Sequence, residues 1–402
     1  MAIAIIARLI LLMAVPELSN DFYRFIWDGE LMTKGINPYA HVPNDLISQG
    51  PFYNDFYMRT LFHGMGELSQ SNYSCYPVLN QLLFLLPTSL FDSIQANVIS
   101  LKVIMILADV GVIFIGRKIL ILLKKPAHLI WLYALNPFVI LEFSGNLHFE
   151  GVMIFFILLS IYLIMTERWM FAALFFGFAI QIKLIPILLI PFLYKRLKWR
   201  KSLGFTAMTT FVVVGMSALL INEAFLGNFM QSINLYFNNF EFNASLYNLL
   251  EEYTFSTKGY SEIAVDGPFL SKIGTVCILC LAIFRAVKND QQVFSGMMFA
   301  LLIYYLFATT VHPWYISLIL IFSIFTNYKL GLVWSIVVML SYFAYSNPNF
   351  EENMLFITIE YLCVLIVAVF EIWKNTSREN IGLQFKSFFS ETDVDRSTIS
   401  DK

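Results

Sequence analysis

Long apolar blocks, separated by short polar ones, run through this chain from end to end. A helix needs roughly 20 mostly apolar residues to cross a hydrocarbon core about 30 Å thick, and several blocks reach that length. They predict crossings near 98–123, 127–143, 149–166, 169–182, 183–195, 203–222, 268–286, 293–311, 314–327, 329–346 and 354–373. A shorter block, 2–15, stops at Pro16. It lacks the basic lead and small-residue cleavage site of a signal peptide, so it reads as a first membrane helix. Composition agrees: 58% of the 402 residues are hydrophobic and 13% are charged, against about 25% charged in soluble domains. The expected fold class is an all-α polytopic membrane protein of about 11–13 spans, broken and short helices included. A net charge of −2 gives no electrostatic footprint for nucleic acid. Three of the four cysteines, Cys277, Cys280 and Cys363, sit in apolar runs and Cys75 stands alone, so no disulfide framework is expected.

Orientation follows from the cations, which gather on cytoplasmic flanks. Arg117/Lys118/Lys124/Lys125, Lys195/Arg196/Lys198/Arg200/Lys201, Arg285/Lys288 and Lys374/Arg378 all fall on one side of this threading. That side, with Arg168, Lys329 and the tail cations Lys386, Arg396 and Lys402, holds eighteen of the 26 lysines and arginines. Arg24, Lys34, Arg59, Lys102, Lys258 and Lys272 lie opposite, and Arg8 and Lys183 fall within spans. The expected order is a first transmembrane helix (1–16), an external loop carrying interfacial helices (17–97), a bundle (98–222), a second external loop (223–267), a second bundle (268–373) and a disordered cytoplasmic tail (374–402). No phosphate-cradling glycine loop is present, so chemistry is expected at the outer face, without a cytosolic nucleotide.

The densest polar signal follows the first span. Ser19-Asn-Asp-Phe-Tyr-Arg-Phe-Ile-Trp-Asp-Gly-Glu30 puts Asp21 and Asp28 seven residues apart, on one face of a helix. Tyr23, Arg24, Phe25 and Trp27 interleave as in a helix lying at the headgroup level, and Asn37-Pro38-Tyr39 then turns the chain. Such acids either serve as a general base beside a membrane-bound substrate or are simply solvated. A short turn carries Asn136-Pro-Phe, Glu142 and Gly145-Asn-Leu-His-Phe-Glu-Gly151, and another carries Thr310-Val-His-Pro-Trp-Tyr315. His312 there is a hydrogen-bond donor for a lipid phosphate, or a cation if its pKa is raised, unless it merely caps the turn. The block 169–194 is too long for one span, which predicts a break with Lys183 near its external tip. A lysine at a helix centre costs about 2.5–3.5 kcal/mol on insertion scales, so Lys183 faces a polar cavity or an anion unless it snorkels. Lys102 and Asp109 are seven apart and read as a structural couple; Glu360, in the last span, has no assigned partner. The run 234–247 mixes rings with amides, as sugar binding requires, and Asn243-Ala-Ser245 matches a glycosylation sequon.

Several of these residues together resemble the GT-C superfamily, multispanning glycosyltransferases that use polyprenyl-phosphate sugars. The likeness is nearest to bacterial mannosyltransferase-like members and more distant to the catalytic subunit of GPI mannosyltransferase I. It is carried by Asp21-Phe-Tyr-Arg…Trp27-Asp-Gly, Gly35-Ile-Asn-Pro-Tyr39, Tyr76-Pro77, the Lys183/Pro186 break, Phe242-Asn-Ala-Ser and His312-Pro-Trp-Tyr315, in order along most of the chain. The resemblance implies a GT-C-like bundle under interfacial helices, and a loop acid that deprotonates the acceptor: Asp21, with Asp28 as second candidate. It implies Lys183, His312 and Arg24 on the donor phosphate, and Tyr23, Trp27, Tyr39, His148, Glu150, Asn243, Trp314 and Tyr315 on the sugars. Asn20-Asp21-Phe22 departs from the D-x-D of eukaryotic relatives, so no metal and no other cofactor is expected. The expected activity is inverting transfer of a hexose, mannose foremost, from a lipid-phosphate donor to a glycan, glycolipid or protein at the outer face of the cytoplasmic membrane. A lipid or lipid-linked-sugar flippase is the alternative, although the two related halves of many transporters are missing. A non-catalytic subunit, or a polymerase or ligase of preformed envelope polysaccharide chains, is a third reading.

Overall fold

The computed structural model describes residues 1–238, 240–347 and 350–397, with side chains described up to Thr376 apart from 236–238. Among them every regular element is helical, and the sole β-type pairing is an isolated parallel bridge between Phe242 and Thr310. Among the described residues, three helices are long and apolar enough to cross a membrane: Ile94–Leu122, Ile263–Phe284 and Met354–Thr376, the last part of a helix that runs to Ser397. A bent pair, Ala127–Ala134 and Pro137–Gly145, meets at 54° and is long and apolar enough together for either a broken span or a re-entrant loop. Other expected spans appear as shorter apolar helices, among them Glu150–Met165, Trp169–Ile182, Pro313–Phe325 and Leu330–Ser346. The chain is an all-α polytopic membrane protein in which abbreviated helices outnumber full-length ones. The polar tail expected from residue 374 lies, for its side chains beyond Thr376, outside the described residues.

The elements that position the site are α1 (Ala2–Ile10), α2 (Asp21–Thr33), α3 (Val78–Thr88), α4 (Ile94–Leu122), α5 (Glu150–Met165), α6 (Trp169–Ile182) and α7 (Ile190–Ser217). The expected break near Lys183 is present. Lys183 leaves α6 in an extended conformation, a 3₁₀ turn covers Ile185–Leu189, and Pro at the start of α7 sets the new axis. Helix α7 is itself interrupted at Lys198, whose φ of 61° lies in the left-handed region, inside the basic cluster expected as a loop.

Arg8 ties α1 to the bundle. Its guanidinium meets Asp109 of α4 and donates to the carbonyls of Ala4 and Ala134, while the Tyr133 hydroxyl donates to Asp109 at 2.6 Å. Asp109 therefore does not pair with Lys102, contrary to the sequence expectation. Lys102 instead donates to the carbonyls of Leu11 (2.9 Å) and Ala14 (2.6 Å), in the turn that follows α1. The buried carboxylate takes the guanidinium, whose Nη1 also reaches two backbone carbonyls, and the lysine caps a negative helix end.

Helix α2 lies in the polar segment yet buries Phe22, Phe25, Ile26, Trp27 and Leu31. Full burial of side chains like these contributes about 1.5–3 kcal/mol each relative to exposure in water. Gly29 permits the close approach of α3, because a Cβ there would lie 2.6 Å from the Phe84 carbonyl. Four short helices, Pro43–Ile47, Gly50–Tyr53, Phe56–Gly64 and Gly66–Ser71, cover its other side. A later segment comprises α8 (Phe225–Asn238), α9 (Leu246–Lys258), α10 (Ile263–Phe284), α11 (Asp290–Phe307), α12 (Ile316–Phe325), α13 (Leu330–Val337) and α14 (Met354–Ser397).

Candidate active site

Asp21 opens α2, where an acid is favoured by the helix dipole. The groups that act on its carboxylate are His148, Lys183 and Glu150, joined by Tyr315 and Tyr345. Burial in this cleft raises the Asp21 carboxyl above its ordinary 3.8, and it outweighs the opposing pull of His148 and Lys183. Lys183, at the α6 break, forms an ion pair with Glu150 at the start of α5, and its ammonium lies 4.1 Å from the centre of the Tyr315 ring. The lysine thus faces an anion and an aromatic face, as its place in an apolar block required.

Beside this pair stands a column of rings. His148 stacks on Trp314 at 3.6 Å between centroids, His312 stacks on the same indole at 4.5 Å, and Phe242 covers His312 at 5.0 Å. The 3₁₀ turn Pro313–Tyr315 presents Trp314, and the backbone pairing of Phe242 with Thr309 and Val311 holds the outer ring. Nε2 of His148 and Nδ1 of His312 are buried and have no hydrogen-bond partner among the described residues. Burial, with Lys183 and His148 nearby, pushes the His312 imidazole well below its usual range. It is therefore a neutral donor or acceptor, which favours the hydrogen-bonding alternative for His312 over the cationic one.

Seven of the sequence-chosen residues meet here: Asp21, His148, Glu150, Lys183, His312, Trp314 and Tyr315. Others lie in the scaffold. Asp28 is fully buried and accepts from Arg24 Nε (2.7 Å), Ser74 Oγ (2.6 Å) and Gln81 Nε2 (2.9 Å). Arg24 spends further N–H groups on the carbonyls of Ser69 and Asn72. These two charges are committed to each other and to the loop that crosses α2, so neither is offered to a ligand. Tyr23 covers Gly64, and Trp27 is enclosed with Phe52 and Phe62. Tyr39 joins the first polar segment to α8, donating to the Tyr76 carbonyl and meeting Phe225 edge-on.

Asn243 is fully buried beneath Phe242, with a left-handed φ of 48°. Its amide N–H donates to Glu352, its side chain to Glu360 and Val311, and its carbonyl accepts from Tyr361. Glu360, without a partner in the sequence reading, also accepts from the Trp334 indole at 2.8 Å. The sequon asparagine is therefore a locked joint under the ring column.

Glu142, Tyr342, Tyr345 and Phe242 belong to the site's surroundings; the sequence reading named Glu142 and Phe242 without giving them a site role and did not name the tyrosines. Their signal was available in part, since Glu142 stands in the same polar turn as His148; the tyrosines arrive from 200 residues away, a distance no local pattern spans.

The helical membrane fold and this acid, lysine and imidazole cluster define a class: polytopic membrane proteins with a polar site set among their helices. Comparison with known proteins agrees. Residues 2–199 match the family model described as "Alpha-(1->6)-mannopyranosyltransferase, N-terminal domain". A curated relative from Corynebacterium glutamicum, alpha-(1->6)-mannopyranosyltransferase A, is 22% identical over 190 residues, covering 45% of this chain and 35% of the relative. The match thus spans about a third of that relative's length, and the similarity to bacterial alpha-(1->6)-mannopyranosyltransferases lies in the N-terminal half of the chain.

Proposed function

We propose that the protein is an inverting glycosyltransferase that moves a hexose, mannose foremost, from a polyprenyl-phosphate donor to a glycan, glycolipid or protein acceptor. The observation that carries this reading is the convergence of Asp21 with Lys183, His148, Glu150 and the Trp314 ring column, from separate parts of the chain. The mannosyltransferase match over residues 2–199 supports the hexosyl reading and disfavours a flippase. The first polar segment and the cleft lie on the outer side, and the C-terminus is cytoplasmic, in keeping with the distribution of lysine and arginine.

In the reaction Asp21 takes the acceptor hydroxyl proton as that oxygen attacks the anomeric carbon. A base whose affinity for protons is raised by burial suits this step. Lys183 exchanges Glu150 for the donor phosphate, and His312 donates a hydrogen bond as negative charge grows on the departing oxygen. Glu150 and the Trp314 and Tyr315 rings hold the sugar. One displacement on the face opposite the leaving group inverts the anomer. No metal enters the scheme, because Lys183 and the imidazoles meet the charge.

The test uses purified protein in lipid, a radiolabelled polyprenyl-phosphate mannose donor and membrane extract as acceptor, with and without EDTA. Transfer by the wild type, abolished in Asp21→Asn and indifferent to EDTA, is the expected result. Movement of intact lipid between leaflets with no sugar transfer from any lipid-phosphate donor would overturn the reading.

A further inference from the structure

The polar turn between the bent helix pair and α5 is built to aim one imidazole. Residues Ile140–Gly145 form a π-helical turn, a rare form that recurs at functional sites. Leu147, bulky and fully buried, has a φ of 69°, a conformation costly for such a side chain and held only by its surroundings. The strain delivers His148, whose amide donates to the Glu142 carbonyl at 3.1 Å and whose Nδ1 lies 3.0 Å from Glu142 Oε2. Glu142 is fixed in turn: its Oε1 accepts from the Tyr342 hydroxyl at 2.6 Å, and Asn146 approaches its Oε2 at 3.4 Å. With the carboxylate on Nδ1, that nitrogen carries hydrogen, and Nε2 is left as the working atom. Trp314 locks the ring plane from one face. The charged or titratable groups that act on the ring are Glu142, Asp21 on α2 and His312 across the indole, with the Lys183–Glu150 pair beside Asp21.

The proton balance of the proposed transfer leaves a role open. A lipid phosphodiester donor carries one negative charge, whereas the lipid phosphomonoester leaves with two unless it gains a proton. Against buried groups such as His148 and Trp314 the second charge is costly.

We propose that the Glu142–His148 dyad protonates the departing phosphate oxygen, with His148 as the catalytic acid and Glu142 as its positioning residue. The inference rests on the glycosyltransfer reading above. As the bond from the anomeric carbon to the phosphate oxygen breaks, its electron pair stays on that oxygen, which takes the proton from His148 Nε2. The ring keeps its Nδ1–H on Glu142. The acceptor proton meanwhile sits on Asp21 and returns to Nε2 once product has left, so each turnover moves no net proton. Asp21 and His148 form a matched acid and base, a division made possible because one is fed by the acceptor and the other by the leaving group.

The experiment compares two synthetic mannosyl donors that share a short prenyl chain, one natural and one fluorinated beside the phosphate so that the leaving oxygen is less basic. His148→Gln, which retains a planar polar side chain, is expected to lower kcat about 100-fold on the natural donor with KM little changed, and to recover about tenfold of that loss on the fluorinated one. The wild type should treat the two donors nearly alike. Glu142→Gln and Tyr342→Phe, which keep the packing, should show the same leaving-group signature at smaller amplitude, and they carry the test if His148→Gln does not fold. Equal losses on both donors, with an active wild type, would overturn the dyad and leave the transferase reading intact. A wild type that transfers from neither donor removes the transferase reading and the dyad together.

Discussion

Replacing Asp28 by Asn separates a structural acid from a catalytic one. Asp28 is 0% exposed and holds Arg24, itself 3% exposed, through a 2.7 Å bond, and its remaining acceptor capacity is used by Ser74 and Gln81. Asparagine keeps the shape but leaves the Arg24 guanidinium without a counter-charge, and Arg24 Nη2 already lacks a hydrogen-bond partner among the described residues. Removing one member of a buried ion pair costs about 3–5 kcal/mol, against which surface pairs are worth about 1 kcal/mol or less. At about 1.4 kcal/mol per decade, the lower bound is a more than 100-fold fall in the folding equilibrium. Thermal unfolding of purified protein in detergent should show it as a clear drop in Tm. Replacing both partners with apolar residues, Arg24→Met with Asp28→Leu, should recover most of the loss, because no stranded charge remains. Transfer per folded molecule should stay within a few-fold of wild type in Asp28→Asn, whereas loss of the base in Asp21→Asn should cost about 10²–10⁴-fold. An Asp28→Asn protein as stable as wild type yet inactive would refute this assignment and move the base seven residues along the helix.

Other outcomes follow from the same geometry. Because burial raises the Asp21 carboxyl above 3.8, kcat/KM should fall as pH drops through that raised value, giving an acid limb above the ordinary aspartate range. The same shift means that ionised Asp21 costs the folded state stability at pH values above the unfolded 3.8, so Asp21→Asn should match or exceed the wild-type Tm near neutrality while losing transfer. Trp314→Ala removes the slab between His148 and His312; with ring contacts worth about 0.5–1.5 kcal/mol, donor KM should rise up to about tenfold, read from initial rates. Expressed in a host that glycosylates N-x-S sites, the protein should carry no glycan at the buried Asn243, and a mobility difference between wild type and Asn243→Gln would contradict its enclosure.

Much of the architecture was legible because span length and apolar period are local properties. The expected 98–123, 149–166 and 169–182 correspond to Ile94–Leu122, Glu150–Met165 and Trp169–Ile182, and the break at Lys183 was readable from a block too long for one crossing. The cleft's members could be picked out one by one, since a lysine or histidine in an apolar context has few inexpensive roles. Their partners could not. Spacing along α4 paired Lys102 with Asp109, but Arg8, 101 residues away, reaches that carboxylate instead. Spacing along α2 put Asp21 and Asp28 on one face, yet two turns of helix, about 10 Å, separate a cleft from a packed interior. Glu142 was visible as a residue of a polar turn, but its grip on His148 depends on a π turn and on Leu147 in a left-handed conformation that no residue pattern announces. Asn243 was read as a sugar contact inside a sequon because those signals are local, whereas its burial is set by Glu352, Glu360 and Tyr361 more than 100 residues later.

The central claim is a single displacement at the anomeric carbon of a lipid-phosphate sugar, driven by Asp21. The most direct measurement is the anomeric configuration of the glycoside formed by wild-type protein from an isotopically labelled polyprenyl-phosphate mannose of known anomer, read by NMR, with Asp21→Asn as the parallel reaction. The account expects the configuration opposite to the donor's, and no labelled product from Asp21→Asn. A product that retains the donor's configuration, or one formed equally well by Asp21→Asn, would contradict it.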